Sequence, residues 1–400
     1  MKKLIFVIAC LISNLSFGQL SSTVTVGSGG DYPTLQLAFD AINAGTITGD
    51  ITLNIISDIT DNNTATLQAG YAPASYTSVL IQPTGTPPSG HWTLTANISG
   101  EMIALAAATN VTINGQLDGV SGESNLYLVN NGAGTPTVAG SVRFEYGACH
   151  NLIQYVHFEC NSHTNVGAII FSIGAGAGLG NNNNIIDHCD ITKTPSGQLF
   201  TGISSEGTPE NIRNTISYCN IYDWNLHGIN LPSPCGRGWQ ITGNNFYQTS
   251  SFSSHADNYA IRVINGDSLA IQGNRIGGSQ PNGGGTAWVN TYLLNSTCGI
   301  YVEGDNTMTA YIDGNTIKNM ETHGPAFSGI EVKGTNAILS GNQIGGWGET
   351  ASGIVVTGIG KIYGIIATAT STPANFEISY NAVRNITAFN LLEDEALCGI

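Results

Sequence analysis

Apolar positions recur along this chain in one short phrase: an apolar residue, two spacers, a small, Asn or Cys position, one spacer and a second apolar residue. Eight copies are present: Ile153-Val156-Phe158, Ile186-Cys189-Ile191, Ile216-Cys219-Ile221, Ile241-Asn244-Phe246, Ile271-Asn274-Ile276, Ile312-Asn315-Ile317, Leu339-Asn342-Ile344 and Ile378-Asn381-Val383. Their middle positions lie 33, 30, 25, 30, 41, 27 and 39 residues apart. A repeat of that size is one turn of a solenoid whose loops vary in length.

A second phrase runs in step with the first, Gly or Ala followed by alternating apolar residues: Gly202-Ile203, Gly228-Ile229, Ala260-Ile261-Arg262-Val263, Gly299-Ile300-Tyr301-Val302, Gly329-Ile330-Glu331-Val332 and Gly353-Ile354-Val355-Val356. Together the phrases predict three short strands per turn, with Ile and Val inward and the residue between them outward. Asn at the bend of five copies, preceded by Gly in four, suits a backbone that enters left-handed geometry between two strands. Turns stacked about 4.8 Å apart would align these residues as a ladder, Asn on Asn and Cys on Cys. A sandwich or barrel of hairpins would not require one phrase to recur at one place in every period.

The first residues read differently. Met1-Lys2-Lys3, the apolar run Leu4 to Leu15 and the small residues around Ser16-Phe17-Gly18 predict a signal peptide over 1–18, with cleavage before Gln19. Residues 19–60 form an N-terminal cap with the first strands. Thr23-Val24-Thr25-Val26 alternates as a strand, and Leu35 to Ala44 carries helical spacing with Leu35, Ala38, Phe39 and Ile42 on one face. Residues 61–400 are assigned to the coil, which reads as truncated: Cys398-Gly399-Ile400 repeats the strand opening Cys298-Gly299-Ile300 and then stops. The expectation is an exported protein, secreted or held at a cell surface.

Composition narrows the partners. Without the two leader lysines, 10 basic residues face 27 acidic ones, a net charge of −17, which argues against nucleic acid and against anionic membrane surfaces. The apolar leader is too short to span a bilayer, so membrane insertion is not expected. Seven cysteines remain after cleavage, an odd count, and Cys189 and Cys219 fall on the bend ladder as small apolar fillers. Metal-ligand spacing such as paired CxxC is absent, so no structural zinc is expected; no cofactor is implied, with calcium left open.

The segment Val26-Gly27-Ser28-Gly29-Gly30-Asp31-Tyr32-Pro33-Thr34-Leu35-Gln36, with its helix, resembles the opening of pectin-lyase-like proteins, notably pectinesterases. The repeats from Ile153 onward resemble the same superfamily. That resemblance implies an all-β fold, a right-handed parallel β-helix with three strands per turn and a short N-terminal capping helix. It specifies activity poorly, because this architecture carries lyases, hydrolases, esterases and adhesins alike. Ile186-Asp187-His188-Cys189 resembles the I-D-H core of pectate lyases, yet Asp187 and His188 also fall on the spacer positions of the bend phrase. Cys235-Gly236-Arg237-Gly238-Trp239 resembles the arginine motif of pectinesterases, without that family's catalytic aspartate motif; Trp239 is expected to pack at the head of its strand. A signal ending in Phe-Gly-Gln resembles those of gliding Gram-negative bacteria.

Unusual residues collect between each bend phrase and the next Gly-Ile strand: Trp224 and His227; His255 and Asp257; Trp288 and Tyr292; Glu321 and His323; Trp347 and Glu349. Flat apolar faces beside polar groups suit sugar rings, so these residues form the expected polysaccharide-binding edge. On the adjoining strands the outward row is expected to run Ser204, Asn230, Arg262, Tyr301, Glu331 and Val355. Arg262, Tyr301 and Glu331 are the candidate catalytic residues, in a lyase as charge neutraliser and proton-transfer groups, or in a glycosidase with Glu331 in a carboxylate pair. The expected function is recognition of polysaccharide or cell-surface glycan. Two alternatives stay open, a polysaccharide lyase or glycoside hydrolase and a non-catalytic adhesin or stalk, and the oligomeric state is not specified. A continuous cleft would favour recognition or catalysis; a flat edge with buried side chains would favour the stalk.

Overall fold

The computed structural model describes residues 21–398 apart from 121, 133–138, 173–178, 207, 234–235, 254–255, 305–308, 347–351, 359, 370–373 and 390–396. The expected signal segment 1–18 lies outside the described residues, as do His255, Trp347 and Cys235.

Three long sheets wrap one core, and every strand pairing in them is parallel. Sheet A has 12 described strands from Ser21–Val26 to Phe376–Ser379, sheet B has 11 from Ile59–Thr60 to Ala382–Val383, and sheet C has 11 from Ala65–Leu67 to Leu397–Cys398. The chain visits A, B and C in order and begins again, so each turn lies on the last: a right-handed parallel β-helix. The inward Ile, Val and Phe of both phrases form one continuous core, from Val26 through Ile186, Phe246 and Ile300 to Ile365. Helix Leu35–Asn43 closes the first turn, its N-terminus capped by the Thr34 hydroxyl and its Leu35, Ala38, Phe39 and Ile42 buried. No helix among the described residues is long and apolar enough to cross a membrane.

The bend between sheets A and B is held by side chains. Asn244, Asn274, Asn315, Asn342 and Asn381 stack, and each accepts on its Oδ1 both the backbone N–H and the side-chain N–H of the preceding one at 2.9–3.0 Å. The left-handed residue is the one before each Asn: Gly243, Gly273, Gly314 and Gly341 have φ of 63–69°. Tyr155, His188 and Tyr218 hold the same place with φ of 50–54° and stack their rings at 4.8 and 5.1 Å. Cys189 and Cys219 continue the ladder as free thiols, the Cys189 N–H reaching Cys219 Sγ at 3.5 Å. A further ladder that the repeat phrase does not contain, Asn151-Asn184-Asn214, lies one corner earlier, with contacts of 2.9–3.2 Å. Trp239 takes the next turn's place at that corner, buried at the head of its strand with its indole N–H on Asn211 O at 2.7 Å.

Two features depart from the three-strand pattern, the smaller being the parallel pair Gly236–Arg237 and Gly266–Asp267 between sheets C and A. Between sheets B and C the later turns add short strands, Trp288–Asn290, Met320–Thr322, Ile354–Val356 and Ile386–Ala388, which pair into a fourth parallel sheet. Gly353-Ile354-Val355-Val356 belongs to it and not to sheet C. Val355 pairs with Glu321, and the outward row of sheet C continues from Glu331 to Ile366. Three Gly-Ile pairs occur in that turn, at 353–354, 358–359 and 364–365, and hydrogen-bond register selects Gly364-Ile365 for sheet C.

Candidate functional site

Sheet C presents two outward rows. The first is the expected one: Ser204 pairs with Asn230, Asn230 with Arg262, Arg262 with Tyr301 and Tyr301 with Glu331. The second is made by the residues just before each bend glycine, Thr201, His227, Tyr259, Cys298 and Ser328, again in register. Between the rows each strand bends at Gly202, Gly228, Ala260, Gly299 or Gly329. A Cβ on Gly228 would lie 2.6 Å from Ala260 O and 2.8 Å from the Phe246 ring, which explains the small residue at this place in every copy.

The two rows meet in an open cleft of about 540 Å³ over the turns of Ser204, Asn230 and Arg262. His227, Asp257, Tyr259 and Glu206 are among its other lining residues, whereas Thr201, Tyr301 and Glu331 do not line it. Arg262 donates from Nη1 to Asn230 Oδ1 at 3.0 Å, which fixes the guanidinium across the row, and its Cζ sits 5.9 Å from the centre of the Tyr259 ring. Tyr301 donates to Glu303 Oε2 at 2.6 Å, and its ring meets Tyr259 edge to face at 5.4 Å. Burial first, with Glu303 adding to it, pushes the Tyr301 phenol well above its usual range; burial does the same to Tyr259.

His227 is the most constrained group in the cleft. It is 9% exposed, and burial together with the neighbouring Arg262 charge pushes its pKa down to about 4. Its imidazole is therefore neutral above that pH. Its Nδ1 has no hydrogen-bond partner among the described residues, and neither has the hydroxyl of Thr201, its register partner on the neighbouring turn. Two adjacent buried polar atoms without partners are a cost that a ligand or ordered water would relieve. The pair can accept from a ligand hydroxyl, and the neutral ring can also take a proton. Arg262 can neutralise a carboxylate or donate to sugar oxygens.

The remaining expected residues separate into three places. His227 and Asp257 reach the cleft; Asp257 also accepts from the Ser296 N–H at 2.8 Å. Trp224 and Trp288 do not offer faces to a sugar: each is 1% exposed, and they meet edge to face at 5.1 Å. The fourth sheet, which carries Trp288, seals them into the core. Glu321 and His323 pair with each other at 2.8 Å on that sheet and its following turn, and Tyr292 is half-buried beyond its first strand. Thr201, Tyr259 and Glu206 were not anticipated, although Thr201 and Tyr259 carry a signal in the sequence, the position before each bend glycine. Among the described residues no three His, Cys, Asp or Glu side chains converge on one point, so none is assigned as a metal ligand.

No family model matches the chain, and no curated protein matches it. Among solved structures it is similar to the surface adhesin PfbA of Streptococcus pneumoniae, at 12% identity over 90% of each chain with a TM-score of 0.48. It is also similar to the GH136 lacto-N-biosidase from Eubacterium ramulus, at 10% identity over 89% of this chain and 68% of that one, TM-score 0.44. A third likeness is the alginate lyase from Paenibacillus sp. str. FPU-7, at 12% identity over 92% of this chain and 99% of that one, TM-score 0.38. At these levels none assigns an activity to this chain.

Proposed function

We propose that this chain is an exported or cell-surface β-helix that recognises polysaccharide in the cleft of sheet C. The observation that supports this reading is the cleft itself, with Arg262 held in place by Asn230 beside the buried His227. Its open form and mixed hydrogen-bonding walls suit hydroxylated rings better than a compact apolar ligand.

One feature favours catalysis as a second reading. A neutral His227, Arg262 and the protonated Tyr259 in one cleft are the parts of a β-elimination on a uronate. His227 would take the C5 proton while Arg262 neutralises the carboxylate. The C4–O bond would then break, with Tyr259 giving a proton to the departing oxygen.

The test is a panel of neutral and acidic polysaccharides, run with and without a chelator. Retardation in affinity gels scores binding, and new reducing ends and unsaturated-uronate absorbance score cleavage. Retardation without product supports recognition, product supports the second reading, and neither would overturn both.

A further inference from the structure

The sheet C cleft does not run the length of the coil. Its outward row comes from three successive turns, those of Ser204, Asn230 and Arg262, with Val166 at one margin. At one strand spacing per turn these span about 10 Å along the axis. The row itself continues in both directions, to Ile170 and Arg143 on one side and to Tyr301 and Glu331 on the other.

Beyond Arg262 the cleft ends at a fixed ring. Tyr301 follows Arg262 in register on the next strand. Its ring meets Tyr259, in the second row, edge to face at 5.4 Å, and its hydroxyl donates to Glu303 Oε2 at 2.6 Å, on the far side of the first row. Glu303 in turn lies 3.7 Å from Lys333 Nζ. A side chain anchored at both ends lies across the rows and not along them. Beyond Ser204 the cleft ends by burial. Ile170 takes the outward position in register with Ser204, yet it is fully buried, so the outward face is covered at that turn.

These two ends decide what fits. About 10 Å is roughly the length of two sugar rings, and a volume of about 540 Å³ falls among sites that enclose a discrete ligand. A polymer laid along sheet C would have to climb over the covered turn of Ile170 or over the Tyr301 ring. A chain terminus meets no such obstacle, because the rest of the chain leaves through the open top of the cleft. We infer that the cleft receives the end of a glycan, about two residues deep, and that Tyr301 is the stop against which that end rests. The inference deepens the proposed recognition of polysaccharide by sheet C and rests on it.

Oligosaccharides of two to six residues prepared from cellulose, mannan, polygalacturonate and alginate test it by calorimetry. For whichever series binds, affinity per molecule is expected to level off by three residues and to change less than about twofold from three to six. Tyr301→Ala removes the stop, so the hexamer is then expected to bind at least about threefold tighter than the trimer. Tyr301→Phe retains the ring and its contact with Tyr259, and with them the plateau. Affinity that climbs with every added residue in the wild type would overturn recognition of a chain end and keep recognition by the cleft. A plateau unchanged in Tyr301→Ala would overturn the role given to Tyr301. Absence of binding by every series would overturn recognition itself and the inference with it.

Discussion

The backbone N–H of Cys219 donates to the side-chain oxygen of Asn244 on the next turn, at 2.9 Å, so the asparagine ladder passes without a break into the cysteine positions. Above it the Cys189 N–H meets only the Cys219 sulfur, at 3.5 Å, a weaker acceptor. The ladder is therefore graded, strong where Asn follows Asn and weaker where Cys follows Cys.

That gradation sets the cost of breaking it. Asn274 accepts from the Asn244 backbone and side chain and donates to Ile241 O and Asn315 Oδ1, all buried. Asn274→Ala orphans several of these groups and is expected to destabilise the coil by about 2–4 kcal/mol. Cys219→Ala removes a small filler and the weak sulfur acceptor of the Cys189 N–H, and is expected to cost about 1–2 kcal/mol, less than the asparagine. Urea unfolding midpoints check the ranking, and equal midpoints would contradict it.

The bend glycines of sheet C have a steric role. A Cβ on Gly329 would lie 2.5 Å from Gly364 O and 2.8 Å from Ile344. Ala260 shows that one methyl is accommodated at this bend, so the informative substitution is branched. Gly329→Val is expected to cost about 1–3 kcal/mol through overpacking, measured by the fall in thermal midpoint, while Val at the open position Gly273 perturbs by backbone strain alone.

Two histidines give the stability–pH profile opposite slopes. Burial and Arg262 depress His227 from 6.5 to about 4, so the unfolded chain binds the extra proton and stability rises as pH increases from about 4 to 6.5. For His157 burial acts downward, but hydrogen bonds to Asp190 and Glu159 outweigh it and raise the pKa to about 9. Its contribution is complete below 6.5 and is lost as pH rises through 9. His227→Asn is expected to flatten the acid limb and His157→Gln the alkaline limb, read from denaturant midpoints across pH 4–10. A wild-type profile unchanged by both variants would contradict these assignments.

The solenoid was legible because its side chains repeat. One bend phrase recurring in eight turns announced the coil and the Asn and Cys ladders, and the Gly-Ile phrase announced the row Asn230-Arg262-Tyr301-Glu331. The binding edge was less legible for a physical reason. A tryptophan between two strands has the same sequence signature whether it stacks on a ligand or fills the core, and Trp224 and Trp288 are core. What buries them is a sheet of three-residue strands paired across whole turns, too short to show alternation. Val355 was misplaced for the same reason, since Gly353-Ile354 and Gly364-Ile365 read alike until register separates them. Tyr259 and Thr201 were within reach, because the position before the bend glycine repeats as faithfully as the one after Ile.

The central claim, recognition of polysaccharide by the outward face of sheet C, is tested most directly by titrating the glycan that binds best against wild type, Arg262→Ala and Gln240→Ala. Gln240 is exposed on sheet A and serves as the control on another face of the same coil. Arg262→Ala is expected to weaken binding at least about tenfold with an unchanged thermal midpoint, while Gln240→Ala binds as wild type. Equal binding by all three would place recognition elsewhere on the protein and contradict the account.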